Sequence, residues 1–318
     1  MKKARIWGLA VLMLLLPPFT SLALEGLRPQ GSADLAAKRT LILSIYVQAE
    51  DAVWTDKELA YTRSALDTAA RYIMDAASRY GRGTELIYAP DDLRFTFSYP
   101  SAIVDSLDTE SDTFENELLD YLHHLCPQEA LMEKYQTDSV AFLFFMDLAG
   151  RSYAMPYYAG DTDYCEFDVI YLYDSSQRRK YESVPVYAHE LLHLFGAVDL
   201  YEAYAEDGVT DALVKYVAQT YPRELMYDTY EPDGSVSETD IAQTLSDLTL
   251  YTIGLIDDTP LLDLYPSLAR EAPGAFVDKS AKPIEAKADK ENPLAVDWSA
   301  PDESGDALIV EWGAAAMP

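Results

Sequence analysis

The stretch Val184-Pro-Val-Tyr-Ala-His-Glu-Leu-Leu-His-Leu-Phe-Gly-Ala-Val-Asp199 constrains this chain more than any other. Ser183 and Pro185 signal a helix start, and the apolar residues that follow sustain a helix. On it His189 and His193 stand four apart, one turn above each other on the same face, so both imidazoles can reach one zinc ion. Glu190 sits one step round, where its carboxylate can take the proton of a water whose pKa a metal has lowered. Half of the chain's four histidines fall on this motif. The alternative, a solvated helix that carries two histidines, leaves that spacing to chance.

A catalytic zinc keeps three protein ligands and one open position. No histidine follows His193, so the third ligand is an acid or one of His123 and His124. Gly196 can take φ > 0 and turn the chain back toward the metal, which brings Asp199 into reach three residues later. Asp199 is therefore the leading candidate, with Glu202, Glu206 and Glu224 as alternatives on later segments. His123 and His124 are adjacent, cannot both face one metal, and read as a solvated helix face.

Charge narrows the partners. With 24 Lys and Arg against 54 Asp and Glu, the net charge is −30, and the clustered cations that neutralise phosphates are missing, so no nucleic-acid partner is expected. A hydrophobic content of 49% supports a large packed core. Lys2, Lys3 and Arg5 precede an apolar run from Ile6 to Leu16 and a small-residue site ending at Ala23. This reads as a signal peptide over residues 1–23, cleaved after Ala23, with an uncleaved anchor as the alternative. The mature protein is then expected to be secreted or extracytoplasmic, monomeric and without a stable membrane span. In an oxidising compartment Cys126 and Cys165 either pair or persist as two buried thiols.

The rest of the chain alternates strands and helices, indicating an α/β (α+β) fold with a mixed or mainly parallel sheet. Strands are expected at Leu41–Val47, Thr84–Tyr88, Val140–Met146, Ser152–Tyr158 as an edge, and Phe167–Tyr173. A helix of about 25 residues should follow the capping box at Thr55, and another should span Asp112 to Leu125. A second capping box at Ser237 is expected to open a helix running to about Ile253. The domain plan is 24–40 as a short N-terminal segment, 41–272 as the domain carrying the motif, and 273–318 as a polar extension. In that extension only Ala307 to Trp312 reads as a strand, and it serves as a spacer or partner-binding segment.

His189-Glu-Leu-Leu-His-Leu-Phe-Gly-Ala-Val-Asp199 resembles the extended zinc-binding helix of the metzincin clan of metallopeptidases, in the form of the snapalysin-like enzymes that end in aspartate. Leu225-Met226-Tyr227 resembles the clan's Met-turn, and Ser237 to Gly254 the helix after it. The resemblance covers about Leu41 to Asp257. It implies a five-stranded mixed sheet, an active-site helix, one catalytic zinc on His189, His193 and Asp199, Glu190 as general base, and an extended peptide substrate on the Ser152–Tyr158 edge. A tyrosine ligand two residues past the methionine is replaced here by Asp228. Tyr227 and Tyr230 are neighbours able to contact substrate or the oxyanion. No cysteine precedes Cys126, so a cysteine-switch propeptide is not expected. Surface carboxylates could hold structural calcium, although no EF-hand loop is present.

The expected activity is zinc-dependent endopeptidase action on a protein or peptide. Two other readings stay open: another zinc hydrolase, such as an aminopeptidase or cell-wall amidase, or a non-catalytic exported binding protein on the same fold.

Overall fold

A computed structural model describes residues 33, 35–50, 53–103, 106–109, 111–155, 167–175, 180–204 and 208–268. The expected signal peptide, Cys165 and hence its pairing with Cys126, Glu206, Pro156–Tyr158 of the edge segment, and the 273–318 extension with its Ala307–Trp312 strand lie outside the described residues.

The sheet is built from β1 (Arg39–Gln48), β2 (Glu85–Ile87), β3 (Arg94–Ser98), β4 (Ser139–Gly150), β5 (Tyr153–Met155) and β6 (Phe167–Asp174). Its order is β2-β1-β4-β6-β5, and β3 also pairs with β1. All pairings are parallel except β5 with β6. The fold is thus mixed α/β with a mostly parallel sheet, but with six strands where five were expected. The additional one is Arg94–Ser98, in which Phe95 and Phe97 alternate with polar residues. It continues along the edge of β1 where β2 leaves off: β2 matches Arg39 to Leu41, and β3 matches Ser44 to Gln48.

Strand alternation distributes the core to both faces. In β4, Ala141, Leu143 and Phe145 face the layer of α1 (Asp56–Arg79) and α4 (Val184–Leu194). Val140, Phe142, Phe144 and Met146 face the layer of α2 (Asp112–His124) and α3 (Gln128–Tyr135). Helix α1 starts where the sequence placed it. The Thr55 hydroxyl accepts the Glu58 N–H, and Glu58 accepts the Thr55 N–H at 2.7 Å. Its inner face is lined by Leu66 and Ile73 and by Ala65, Ala69, Ala70 and Ala77, whose small side chains let the helix lie close to the sheet. No helix among the described residues is long and apolar enough to cross a membrane.

The expected helix at Ser237 is not formed. The Ser237 hydroxyl accepts the Thr239 and Asp240 N–H groups in a local turn, and Thr244 then pairs with Glu224 as an isolated bridge. Helix formation waits for Ser246, whose hydroxyl caps the short α6 (Asp247–Thr252). Between α4 and this turn lies α5 (Asp211–Thr220), capped by Thr210 and buried through Leu213 and Val217.

Candidate metal centre

Helix α4 lies against the sheet with nine of its eleven residues buried, including His189 and Glu190. It ends where the motif needs it to end. Ala197 donates to the Leu192 carbonyl at 3.0 Å and Gly196 to the His193 carbonyl at 2.9 Å, the double closure of a Schellman motif. Gly196 has φ +93°, a conformation that would strain any residue with a Cβ. After this reversal Val198 and Leu200 bury themselves in the core, and Asp199 between them turns back to the histidines.

The donor atoms converge. His189 Nε2 lies 3.2 Å from His193 Nε2. Asp199 Oδ1 lies 3.0 Å from the first and 3.3 Å from the second. The far ring nitrogens are both occupied: His189 Nδ1 lies 3.0 Å from the Leu225 carbonyl and His193 Nδ1 lies 3.0 Å from the Ala197 carbonyl. A carbonyl only accepts, so each Nδ1 carries the hydrogen and each neutral ring presents a bare lone pair at Nε2. No backbone N–H or hydroxyl of the described residues donates to the buried Asp199 Oδ1. With both rings neutral, three acceptors meet there, an arrangement that repels itself unless a cation, whether a proton or a metal ion, sits at the shared point. Ligands at about 2.0–2.1 Å on a tetrahedral zinc are themselves about 3.3 Å apart, so this donor set fits the metal in type, number and spacing.

The electrostatics carry the same signature. Burial works to lower the His193 pKa, but the Asp199 carboxylate outweighs it and pushes the imidazole up to about 10. Burial raises Asp199, yet the two imidazoles hold it well below the usual carboxylate range. Glu190 is raised, chiefly by burial, against the attraction of both histidines. One of its carboxylate oxygens lies within 4.8 Å of a ring nitrogen of each histidine, so the three side chains form a group able to hold a metal ion.

The alternative third ligands lie elsewhere. Glu224 is fully buried but spent on structure: it accepts from Met226 N at 3.3 Å, from the Thr249 hydroxyl at 2.9 Å and from Ser246 N. Glu202 is exposed, as are His123 and His124 in the last turn of α2. Met226 is buried beside Leu225, whose carbonyl meets His189, and its own carbonyl accepts Leu200 N at 2.8 Å. The turn at Leu225–Tyr227 thus braces both the first histidine and the segment carrying Asp199. Tyr227 packs against the core and Tyr230 is half exposed; neither hydrogen-bonds His189, Glu190, His193 or Asp199.

Two residues that the sequence did not single out do reach the site. Tyr201 donates its hydroxyl to Asp199 Oδ2 at 2.9 Å, and Arg151 donates to the Tyr201 oxygen at 2.6 Å. Tyr201 follows Asp199 by two residues, a spacing that could have drawn attention to it. Arg151 lies 48 residues before Asp199 and carries no local signal. It is placed by the end of β4, where Gly150 allows the Tyr171 ring so close that a Cβ would lie 2.5 Å from it.

No protein-family profile and no curated protein matches the chain. Among solved structures it is similar to metalloproteinase-II from Bacteroides fragilis, at 11% sequence identity and a TM-score of 0.34. The match covers 73% of this chain and 58% of that one, so the chain spans less than two thirds of that protein's length.

Proposed function

We propose that the chain is an exported zinc-dependent endopeptidase of the metzincin type, with residues 41–272 as its catalytic domain and 273–318 as an appended polar segment. The observation that carries this reading is the meeting of His189 Nε2, His193 Nε2 and Asp199 Oδ1 within 3.3 Å, with both Nδ1 atoms committed to backbone carbonyls. His189, His193 and Asp199 would hold the metal. When bound, zinc supplies Lewis-acid polarisation of a scissile carbonyl and a lower pKa for the attacking water.

The chain's own groups do the rest. Glu190 is buried beside the histidines with its pKa raised, the condition in which a carboxylate takes up a proton readily and passes it on. It accepts the proton of the attacking water and delivers it to the departing amine. The Leu225 and Ala197 carbonyls hold the two rings in one tautomer and orientation throughout. Strand β5, hydrogen-bonded only to β6 in the sheet order, offers its other edge to an extended peptide. Export rests on the charged and apolar pattern of residues 1–23.

The test is metal content by mass spectrometry on the purified protein, with digestion of a mixed peptide library before and after chelation. About one zinc per chain and internal cleavages that disappear on chelation are expected. Zinc without internal cleavage would redirect the assignment to a terminal-specific or cell-wall hydrolase, and a chain that binds no zinc would overturn it.

A further inference from the structure

We propose that Tyr201 and Arg151 are positioning residues that fix which oxygen of Asp199 faces the metal, Tyr201 by its hydroxyl and Arg151 by holding that hydroxyl in place. The inference rests on the zinc reading above and extends it to two residues outside the motif.

The argument is one of hydrogen counting. A guanidinium only donates, so in the 2.6 Å contact between Arg151 and Tyr201 the tyrosine oxygen must accept. The phenol has a single proton, and with Arg151 on its oxygen that proton is left for Asp199 Oδ2 at 2.9 Å. Oδ2 is thereby engaged, and Oδ1 alone is presented to His189 and His193. An aspartate without this restraint rotates about its terminal torsion, which is broad and roughly two-fold, and offers either oxygen or both. The ring is held as well as the hydroxyl. Tyr201 lies between the His189 ring, 6.3 Å away and inclined by 29°, and the Arg151 guanidinium, 5.7 Å from its centroid.

The experiment measures zinc affinity by chelator competition on the purified full chain, together with the visible absorption of the cobalt(II)-loaded protein, which reports ligand number. Tyr201→Phe keeps the ring between His189 and Arg151 and removes only the hydroxyl. It should raise the zinc Kd about 10–100-fold, the range for loss of a group that orients a ligand, and should alter the cobalt bands. Arg151→Met should weaken zinc in the same direction, and the double variant should be no weaker than Tyr201→Phe alone, because both act through one hydroxyl. If the parent binds zinc and Tyr201→Phe binds it equally well with unchanged cobalt bands, the positioning role is overturned while the metal centre stands. Additive losses in the double variant overturn the relay through Arg151. A parent chain that binds no metal overturns both readings. Should Tyr201→Phe fail to fold, Arg151→Met, altered at an exposed side chain, decides on its own by its zinc Kd and cobalt spectrum.

Discussion

Glu224 accepts the hydroxyl of Thr249 at 2.9 Å from 25 residues away, and its second oxygen accepts Ser246 N at the start of α6. One buried carboxylate therefore joins the Leu225–Tyr227 turn under His189 to the helix that closes the domain. A negative charge at a helix N-terminus is favourable, and the Ser246 and Met226 N–H groups have no water to turn to if it is lost. Glu224→Ala should cost about 3 kcal/mol and lower Tm by roughly 6–12 °C for a domain of this size. A calorimetric scan showing a shift under 2 °C would contradict this account.

Glu190→Gln removes the proton acceptor and keeps the size of the side chain. Peptide hydrolysis should fall by about 10²–10⁴-fold while zinc stoichiometry is unchanged. Substantial residual hydrolysis in the metal-loaded variant would take the role of general base away from Glu190.

Asp199→Ala deletes one of the three convergent acceptors and leaves the Tyr201 hydroxyl without its partner. Zinc retention through gel filtration should drop well below one ion per chain. Full stoichiometry after the substitution would move the third ligand elsewhere in the chain.

Stability should depend on pH through Glu182. Burial, with Asp174 and Glu190 adding repulsion against a stabilising Ser183 N–H, raises this carboxyl to about 7 from an ordinary value of 4.5. Between those values the folded state holds more protons than the unfolded state, so this contribution to stability falls as pH rises from about 4.5 to about 7 and is flat above. Glu182→Gln still accepts from Ser183 and no longer titrates. It should exceed the parent in stability by about 3 kcal/mol at pH 8 and match it at about pH 4 and below. A Tm difference between the two proteins that is constant across this range would rule out Glu182 as the titrating group.

How much of this was legible depended on how local each feature is. The motif helix, its glycine stop and the arrival of Asp199 are all written within the sixteen residues from Val184 to Asp199, and the geometry follows from helix periodicity and one φ > 0 position. The capping box at Thr55 was legible for the same reason. Ser237-Glu-Thr-Asp240 has the same spacing and failed, because Thr244 bridges to Glu224 and Glu224 reserves Ser246 as the helix start; both partners are distant in sequence. Strand β3 and helix α5 did carry signals, the Phe95 and Phe97 alternation and the Thr210 cap with Leu213 and Val217, which stand out less than the neighbouring apolar runs. Arg151 could not be found from sequence, since only the packing of α4 against β4, β5 and β6 brings the segment that carries Tyr201 to the end of β4.

The three long strands, β1, β4 and β6, are all interior to the sheet, and β2 and β3, which share one edge of it, have three and five residues. An edge of three residues offers too few backbone groups to template a neighbouring molecule's strand firmly, and a net charge of −30 opposes the approach of a second copy. Sheet-to-sheet aggregation is thus disfavoured along the β2 and β3 side of the sheet, where short strands and the charge of the whole chain act together.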